Sequence, residues 1–156
     1  TVVGGGNMGL TYAKGIDKAG LLSEQISILE KGADNIKRLK AAEPQFLIES
    51  SPSECIKTSD IILLAIKPFH AQAVFEEIKG FMNPNQLVIS VMAGVKMETI
   101  KAGLNIPKVV RSMPNLPAMI GKGMTTFTSS NSVSNEEEKT VAKLLGSTGE
   151  AIHLQN

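Results

Sequence analysis

"VVGGGNMG", the stretch Val2–Gly9, is the most informative part of the sequence. Two β-branched residues predict the end of a strand, and the glycines that follow keep the spacing Gly4-x-Gly6-x-x-Gly9 before an apolar stripe of helical period. Between a strand and a helix, this spacing is typical of the phosphate-binding loop of a dinucleotide site. Gly4 permits the tight turn, Gly6 lets the backbone approach a pyrophosphate, and Gly9 lets helix and strand pack closely. A glycine-rich turn without a ligand is the alternative interpretation.

Apolar runs that predict strands alternate along the chain with apolar stripes that predict helices. The run "IILLAI" is apolar throughout, which is typical of a parallel strand buried on both faces. The predicted strands are Val2–Val3, Ile26–Leu29, Phe46–Ile48, Ile61–Ile66, Leu87–Val91, Lys108–Ser112, Met124–Thr128 and Glu150–Leu154. The predicted helices contain Met8 to Ala19, Ala33 to Leu39, Ala71 to Ile78, Met97 to Leu104, and a segment from a capping box at Ser134 and Glu137 to Leu145. The alternation predicts an α/β fold with a doubly wound, mostly parallel sheet and helices on both faces.

Composition narrows the classes of function. The chain has 156 residues, 42% of them apolar, and a formal net charge of +1. We therefore expect one domain, 1–156, with a sizeable core and with neither nucleic acid nor an anionic membrane surface as a partner. The lone Cys55 fits a reducing cytoplasm. Because the chain starts without methionine, only three residues before the glycines, we expect it to be part of a longer protein.

An acidic residue about 20 positions after the glycines would bind the ribose of the adenosine in such a site. Glu30 lies there, directly after the second predicted strand, and its carboxylate favours NAD because it would repel a 2′-phosphate. The basic residues Lys31, Lys37 and Arg38 follow, and they could meet the 2′-phosphate of NADP. The sequence leaves the choice between NAD and NADP open, and a solvated charge at a strand end is the alternative for Glu30.

Tight turns follow several of the other predicted strands. Lys67-Pro68 ends the fourth strand, small residues at Ala93 and Gly94 follow the fifth, and "MPNLP" follows the sixth. In a doubly wound sheet these ends lie side by side, so they predict a cleft that runs from the phosphates towards the nicotinamide. Asn115, between two prolines, is predicted to face the nicotinamide, with a chance structural turn as the alternative.

Other candidate groups in the sequence predict little chemistry. Lys67 is predicted to position the cofactor ribose through its backbone rather than to act as a general acid. His70 and His153 are expected to be surface or packing residues, and no metal-ligand cluster or Ser/His/Asp set is apparent. The sequence therefore predicts no metal and offers no certain catalytic residue.

Four segments, "VVGGGNMG", "DIILLAIKP", "VISVMAGV" and "VVRSMPNLPAMIGKGMT", occur in an order and spacing that resemble the N-terminal, Rossmann-type domain of pyrroline-5-carboxylate reductases. The resemblance implies reduction of a cyclic imine, Δ1-pyrroline-5-carboxylate, to proline by hydride transfer from NADPH or NADH. It also implies a second, all-helical domain that forms a homo-oligomer and carries most substrate contacts. That domain does not follow Asn156 here, so we expect this piece to bind a dinucleotide without catalysing the reaction alone.

The resemblance also implies which residues contact each part of the cofactor. They are Gly4, Gly6, Asn7, Met8 and Gly9 at the pyrophosphate; Glu30 and Lys31 at the adenosine ribose; Ala65, Ile66, Lys67 and Pro68 at the nicotinamide riboside; Val91, Met92 and Ala93 beneath it; and Asn115 facing the nicotinamide and the substrate.

Two positions depart from the family pattern. Relatives often carry Asn-Arg or Ser-Ser where this chain has Glu30-Lys31, and Thr is commoner at Leu116. A dehydrogenase of the β-hydroxyacid type, such as a hydroxyisobutyrate or prephenate enzyme, is one alternative function. A dinucleotide-sensing module without catalysis is the other.

Overall fold

A single eight-stranded sheet organises the molecule. The computed structural model describes residues 1–113 and 123–154. The strands are β1 Val2–Val3, β2 Ser27–Leu29, β3 Leu47–Glu49, β4 Ile61–Leu64, β5 Leu87–Ser90, β6 Val109–Met113, β7 Gly123–Ser129 and β8 Gly149–His153. They follow the spatial order β3-β2-β1-β4-β5-β6-β7-β8. The doubly wound sheet that the alternation predicted is confirmed, because the chain starts at β1 and builds outward in both directions.

Strands β1 to β6 are parallel, whereas β7 runs antiparallel to β6 and β8 runs parallel to β7. The predicted strand at Ile61–Ile66 is shorter than expected, since β4 ends at Leu64. After Ala65 the chain leaves the sheet, and Pro68 starts a 3-10 turn that ends at His70. Proline has no N–H to donate, so it is well accommodated in such a first turn.

Six helices are described within these two ranges. They are α1 Asn7–Lys18, α2 Ala33–Ala42, α3 Ser53–Lys57, α4 Ala71–Ile78, α5 Met97–Leu104 and α6 Asn135–Leu145. The five-residue α3 was not predicted, because a helix that short carries no full apolar period. Within the described residues, no helix is long and apolar enough to cross a membrane.

Two hydrophobic cores flank the sheet. Neighbouring residues of each buried strand point to opposite faces, so Val2 belongs to one core and Val3 to the other. Helices α1, α2 and α6 cover the first face, and α3, α4 and α5 cover the second. The hydroxyl of Tyr12 on α1 lies 3.2 Å from Thr125 Oγ1 on β7 in the first core, and burial raises the pKa of this tyrosine. Continuous apolar runs therefore encode a sheet that is buried on both sides.

A reciprocal capping box starts α6, as predicted. Ser134 Oγ accepts a hydrogen bond from Glu137 N at 3.1 Å, and Glu137 Oε1 accepts one from Ser134 N at 3.0 Å. Lys108 Nζ lies 3.0 Å from Glu137 Oε2. The backbone hydrogen bond, with help from Lys108, lowers the pKa of Glu137. The ion pair between Lys108 and Glu137 thus ties the start of α6 to the loop that precedes β6.

Candidate functional site

The carboxyl ends of β1, β4, β5 and β6 lie along one edge of the sheet, because these four strands are parallel neighbours in that order. Ala65 N donates to Val3 O at 2.9 Å, and Val91 N donates to Leu64 O at 3.0 Å. The sheet therefore brings together the ends of strands that are far apart in the sequence. In open α/β sheets, ligands bind at this carboxyl edge.

The glycine loop turns tightly against the end of β4. Gly4 has a φ of 105°, a conformation that side chains with a Cβ rarely adopt. A Cβ at Gly4 would also lie only 2.6 Å from Ala65 O. At Gly9, in the first turn of α1, a Cβ would lie 2.0 Å from Gly4 O. The predicted roles of these two glycines in the tight turn and in close packing agree with this geometry.

Gly6 differs from both of these glycines. Its φ of −78° suits any residue, and a Cβ there would meet no protein atom within 4 Å. Neither the backbone nor the packing of the described chain explains a glycine at this position. Gly6 is also the N-cap of α1, where no side chain of the described residues caps the helix and where no acidic residue lies in the first turn. The open space and the free N–H groups fit an anionic ligand such as a pyrophosphate.

Glu30, the residue predicted to lie at the adenosine end of the site, takes part in a network of hydrogen bonds. Glu30 is half-buried just after β2, and its Oε1 accepts a hydrogen bond from Lys31 N at 3.1 Å. Its Oε2 accepts one from Asn35 Nδ2, which also donates to Gly5 O at 3.0 Å. The Lys31 ammonium forms an ion pair with Glu77 of α4. Lys31 is therefore already paired, which the sequence did not indicate.

Sequence reasoning missed two residues at this end. Gly5 is the unspecified position of the motif, yet it is buried, and a Cβ there would lie 2.7 Å from Leu39 Cδ1 of α2. Asn35 attaches the same helix to the loop through its side chain. Only the run of three glycines in the sequence hinted that a second helix approaches the loop.

The predicted nicotinamide end is built from the turns after β4 and β5. Ala65 and Ile66 are half-buried, whereas Lys67 and Pro68 are exposed. The side chains of Val91 and Met92 are buried, and Ala93 is exposed. The expectation that the chain approaches a ligand here mainly through its backbone stays a prediction.

The sixth strand ends at Met113, directly before Pro114 and one residue beyond its predicted end at Ser112. Asn115 and the rest of "PNLP" lie outside the described residues. Arg111, two positions before the end of β6, is half-buried, and its Nε has no hydrogen-bond partner among the described residues. Arg111 lies in the segment "VVRSMPNLPAMIGKGMT" that resembles the reductases, but the sequence predicted no role for it. An unsatisfied guanidinium N–H thus lies near the same sheet edge.

The two histidines lie outside the glycine loop and have packing partners. His70 is exposed, and its ring contacts Phe69 edge-on with centroids 4.2 Å apart. His153 Nε2 lies 2.7 Å from Glu138 Oε2, and its ring stacks on Phe127. In the described part of the chain, no group of three His, Cys, Asp or Glu side chains could hold a metal ion.

The sheet order and the glycine loop define a Rossmann-type domain of the dinucleotide-binding class. Residues 1–94 match the family model described as "NADP oxidoreductase coenzyme F420-dependent". The chain belongs to this family, since the match covers more than half of its length.

Comparisons with individual proteins point to one group of reductases. The chain is 35% identical over 156 residues to pyrroline-5-carboxylate reductase 1 of Bacillus spizizenii, covering 98% of this chain and 52% of that protein. A solved pyrroline carboxylate reductase of Plasmodium falciparum with NADP bound is 26% identical, with a TM-score of 0.80 over 99% of this chain and 56% of that one. These matches confirm the resemblance that the motifs indicated. The chain spans about half the length of the curated relatives it matches.

The fold itself is shared more widely. A pyrroline-5-carboxylate reductase of Coxiella burnetii has a TM-score of 0.91 at 24% identity, covering 99% of this chain and 58% of that one. A prephenate dehydrogenase of Aquifex aeolicus, covered to the same extents, has a TM-score of 0.81 at 13% identity. Backbone similarity thus does not separate the two classes of dehydrogenase, whereas the sequence motifs do.

Proposed function

We propose that this chain is the dinucleotide-binding part of a pyrroline-5-carboxylate reductase that uses NADPH or NADH. The observation that carries the proposal is Gly6, which leaves an unfilled space at an uncapped helix N-terminus. The identity to the Bacillus reductase and the NADP in the Plasmodium structure support the reaction and the cofactor.

In this proposal the chain binds and orients the cofactor. The loop from Gly4 to Gly9 and the first turn of α1 hold the pyrophosphate, and Glu30 faces the adenosine ribose. The nicotinamide half then extends along the sheet edge towards Ala65–Pro68, Val91–Ala93 and Asn115. When bound, the reduced nicotinamide would supply a hydride to the imine carbon of Δ1-pyrroline-5-carboxylate. The nitrogen of the pyrroline ring would take up a proton, which gives proline. Lys67 contributes backbone positioning rather than that proton.

The remaining expectations belong to the same proposal. The partner is a small-molecule imine rather than nucleic acid or a membrane, and the location is the cytoplasm. Substrate contacts, the proton donor and a homo-oligomeric interface come from a helical domain that the family carries in addition to the dinucleotide-binding domain.

The decisive experiment measures oxidation of NADPH and NADH by the full-length protein that contains this chain, with and without Δ1-pyrroline-5-carboxylate. We expect oxidation only with the imine present, and dinucleotide binding without turnover by residues 1–156 alone. Imine-independent binding with no oxidation would instead support a sensing module. Turnover with prephenate or a hydroxy acid, but not with the imine, would identify a different dehydrogenase.

A further inference from the structure

Asn35, on the first turn of α2, is at the centre of a hydrogen-bond network that no motif predicts. Its Nδ2 donates to Gly5 O of the glycine loop at 3.0 Å and to Glu30 Oε2. Its Oδ1 accepts from Arg38 Nε at 3.1 Å and also from Arg38 Nη2. Because an amide offers two N–H groups and one carbonyl oxygen, every polar group of this side chain is engaged. One residue thus connects the loop, the acidic residue and an arginine.

Arg38 is the oriented cation of this region. Two of its five N–H groups bond to Asn35, and the guanidinium is exposed. Within residues 1–113 and 123–154 it forms no ion pair, although Glu30 shares the same asparagine. Lys31, by contrast, is paired with Glu77. A guanidinium that forms no ion pair among the described residues is therefore joined, through Asn35, to the carboxylate at the adenosine end.

A 2′-phosphate has the chemistry that this guanidinium fits. Phosphate oxygens accept paired N–H bonds from a planar fork, and Arg binds them with more geometric specificity than Lys. Glu30 works in the opposite sense, since its carboxylate repels a phosphate and accepts bonds from ribose hydroxyls. Asn35 bonds to both groups, so they lie at the same end of the site.

We infer that Asn35 is a positioning residue that attaches α2 to the glycine loop and holds Arg38 where it binds the 2′-phosphate of NADP. The site thereby accepts NADPH despite Glu30. The inference rests on the proposed function, because it takes the loop and Glu30 as the pyrophosphate and adenosine sites. It identifies Arg38, rather than Lys31 or Lys37, as the residue that recognises the phosphate.

The test uses calorimetry with two fragments of the cofactor, 2′,5′-ADP and 5′-ADP, and with NADPH and NADH. The variants are Arg38→Gln, Asn35→Ala, their double variant, and Lys37→Gln as the competing cation. Lys40→Gln, which removes an exposed charge from the same helix, is the matched control. Thermal melts check that each variant folds.

We expect Arg38→Gln to weaken 2′,5′-ADP and NADPH about tenfold, with 5′-ADP and NADH nearly unchanged. The loss should shrink at high salt, because the contact is exposed to solvent. Asn35→Ala should weaken all four ligands, and 2′,5′-ADP the most. In the double variant the effect of Arg38→Gln should be much smaller, since the arginine is no longer held.

Several results would overturn the inference while leaving the proposed function intact. They are an equal loss of 2′,5′-ADP and 5′-ADP in Arg38→Gln, a larger loss in Lys37→Gln, or full additivity in the double variant. An Asn35 with a merely structural role would lower the melting temperature without changing the ratio of NADPH to NADH affinity. A wild-type protein that binds neither dinucleotide would refute the proposed function together with the inference.

Discussion

The three glycines of the motif, Gly4, Gly6 and Gly9, have three different surroundings in the structure. At Gly4 the positive φ and the close Ala65 carbonyl both exclude a side chain, and at Gly9 the Gly4 carbonyl does. At Gly6 no protein atom excludes a side chain, so the described structure leaves room there for a ligand. The motif thus contains two positions that the fold itself restricts to glycine and one that it does not.

The first prediction follows from that separation. Gly6→Val should leave the protein folded and abolish binding of NADH and NADPH, because its side chain fills the space assigned to the pyrophosphate. Gly9→Ala is the matched control. Its Cβ would overlap Gly4 O, and we expect it to lower the free energy of unfolding by about 1–3 kcal/mol. Calorimetry and thermal melts measure the two effects, and unchanged affinity in Gly6→Val would remove the site assignment.

A second prediction at this scale concerns cofactor choice. Glu30→Ser removes a carboxylate that repels a 2′-phosphate, so the ratio of NADPH to NADH affinity should rise. The expected gain is roughly 1–2 kcal/mol, or about tenfold. Glu24→Ser removes an exposed acid near the start of β2 and serves as the control. If the ratio stays constant in Glu30→Ser, the carboxylate is only a solvated charge at the strand end.

At the scale of an element, the start of α6 is a pH-sensitive cap. Its backbone hydrogen bond from Ser134 lowers the pKa of Glu137 in the folded state below that of the unfolded chain. The carboxylate therefore stabilises the fold at neutral pH, and this contribution disappears as pH falls through the folded-state pKa.

The third prediction is that Glu137→Gln loses less stability than wild type when pH falls from 7 into the acidic range. The glutamine still offers an oxygen to Ser134 N but does not titrate. Glu136→Gln, whose carboxylate is 85% exposed, is the control and should follow the wild-type profile. Urea unfolding at several pH values measures the difference. Parallel profiles for Glu137→Gln and wild type would contradict the assignment of the cap.

The turn after β6 gives the fourth prediction, which rests on sequence because the turn lies outside the described residues. If "MPNLP" directs Asn115 at the nicotinamide, Asn115→Ala should lower turnover of the full-length enzyme roughly ten- to a hundredfold and spare adenosine-end binding. Pro114→Ala keeps the amide and should mainly lower the melting temperature, since the unfolded chain gains freedom. The reverse order in kinetics and melts would make the stretch a structural turn.

At the scale of the whole molecule, one thin sheet separates two cores. Ile28 of β2 is fully buried in one core, and Ile78 of α4 is fully buried in the other. Each core needs the same strands, because alternate residues of every central strand belong to opposite faces. The two layers should therefore unfold together.

The fifth prediction tests that coupling. Ile28→Val and Ile78→Val should each lower the free energy of unfolding by about 0.5–1.5 kcal/mol. Because the two side chains lie on opposite sides of the sheet, their effects should add within about 0.5 kcal/mol. Urea unfolding should show one transition in each variant. Two separate transitions in either variant would mean that the layers are independent units.

Most of the fold was predicted from two local properties of the sequence. They are the spacing of apolar residues and the glycine, proline and capping residues at the ends of helices and strands. The glycine spacing after Val2–Val3, the end of the sixth strand near Pro114 and the capping box at Ser134 could be predicted because each depends on residues a few positions apart. The same locality explains the class of the site, since the loop and the helix that would hold a phosphate are consecutive in the chain. The short helix α3 escaped detection because five residues cannot display a period.

Only the tertiary structure decided which of these local pieces meet. In the sheet the ends of β1, β4 and β5 lie side by side, and β7 runs antiparallel to β6. It also brought Asn35 to the carbonyl of Gly5, 30 positions earlier, and Tyr12 to Thr125, 113 positions later. Contacts at such separations depend on how whole faces pack, and no pattern of neighbouring residues encodes them. The glycines could therefore be predicted from their spacing, whereas the asparagine that connects them to Arg38 could not.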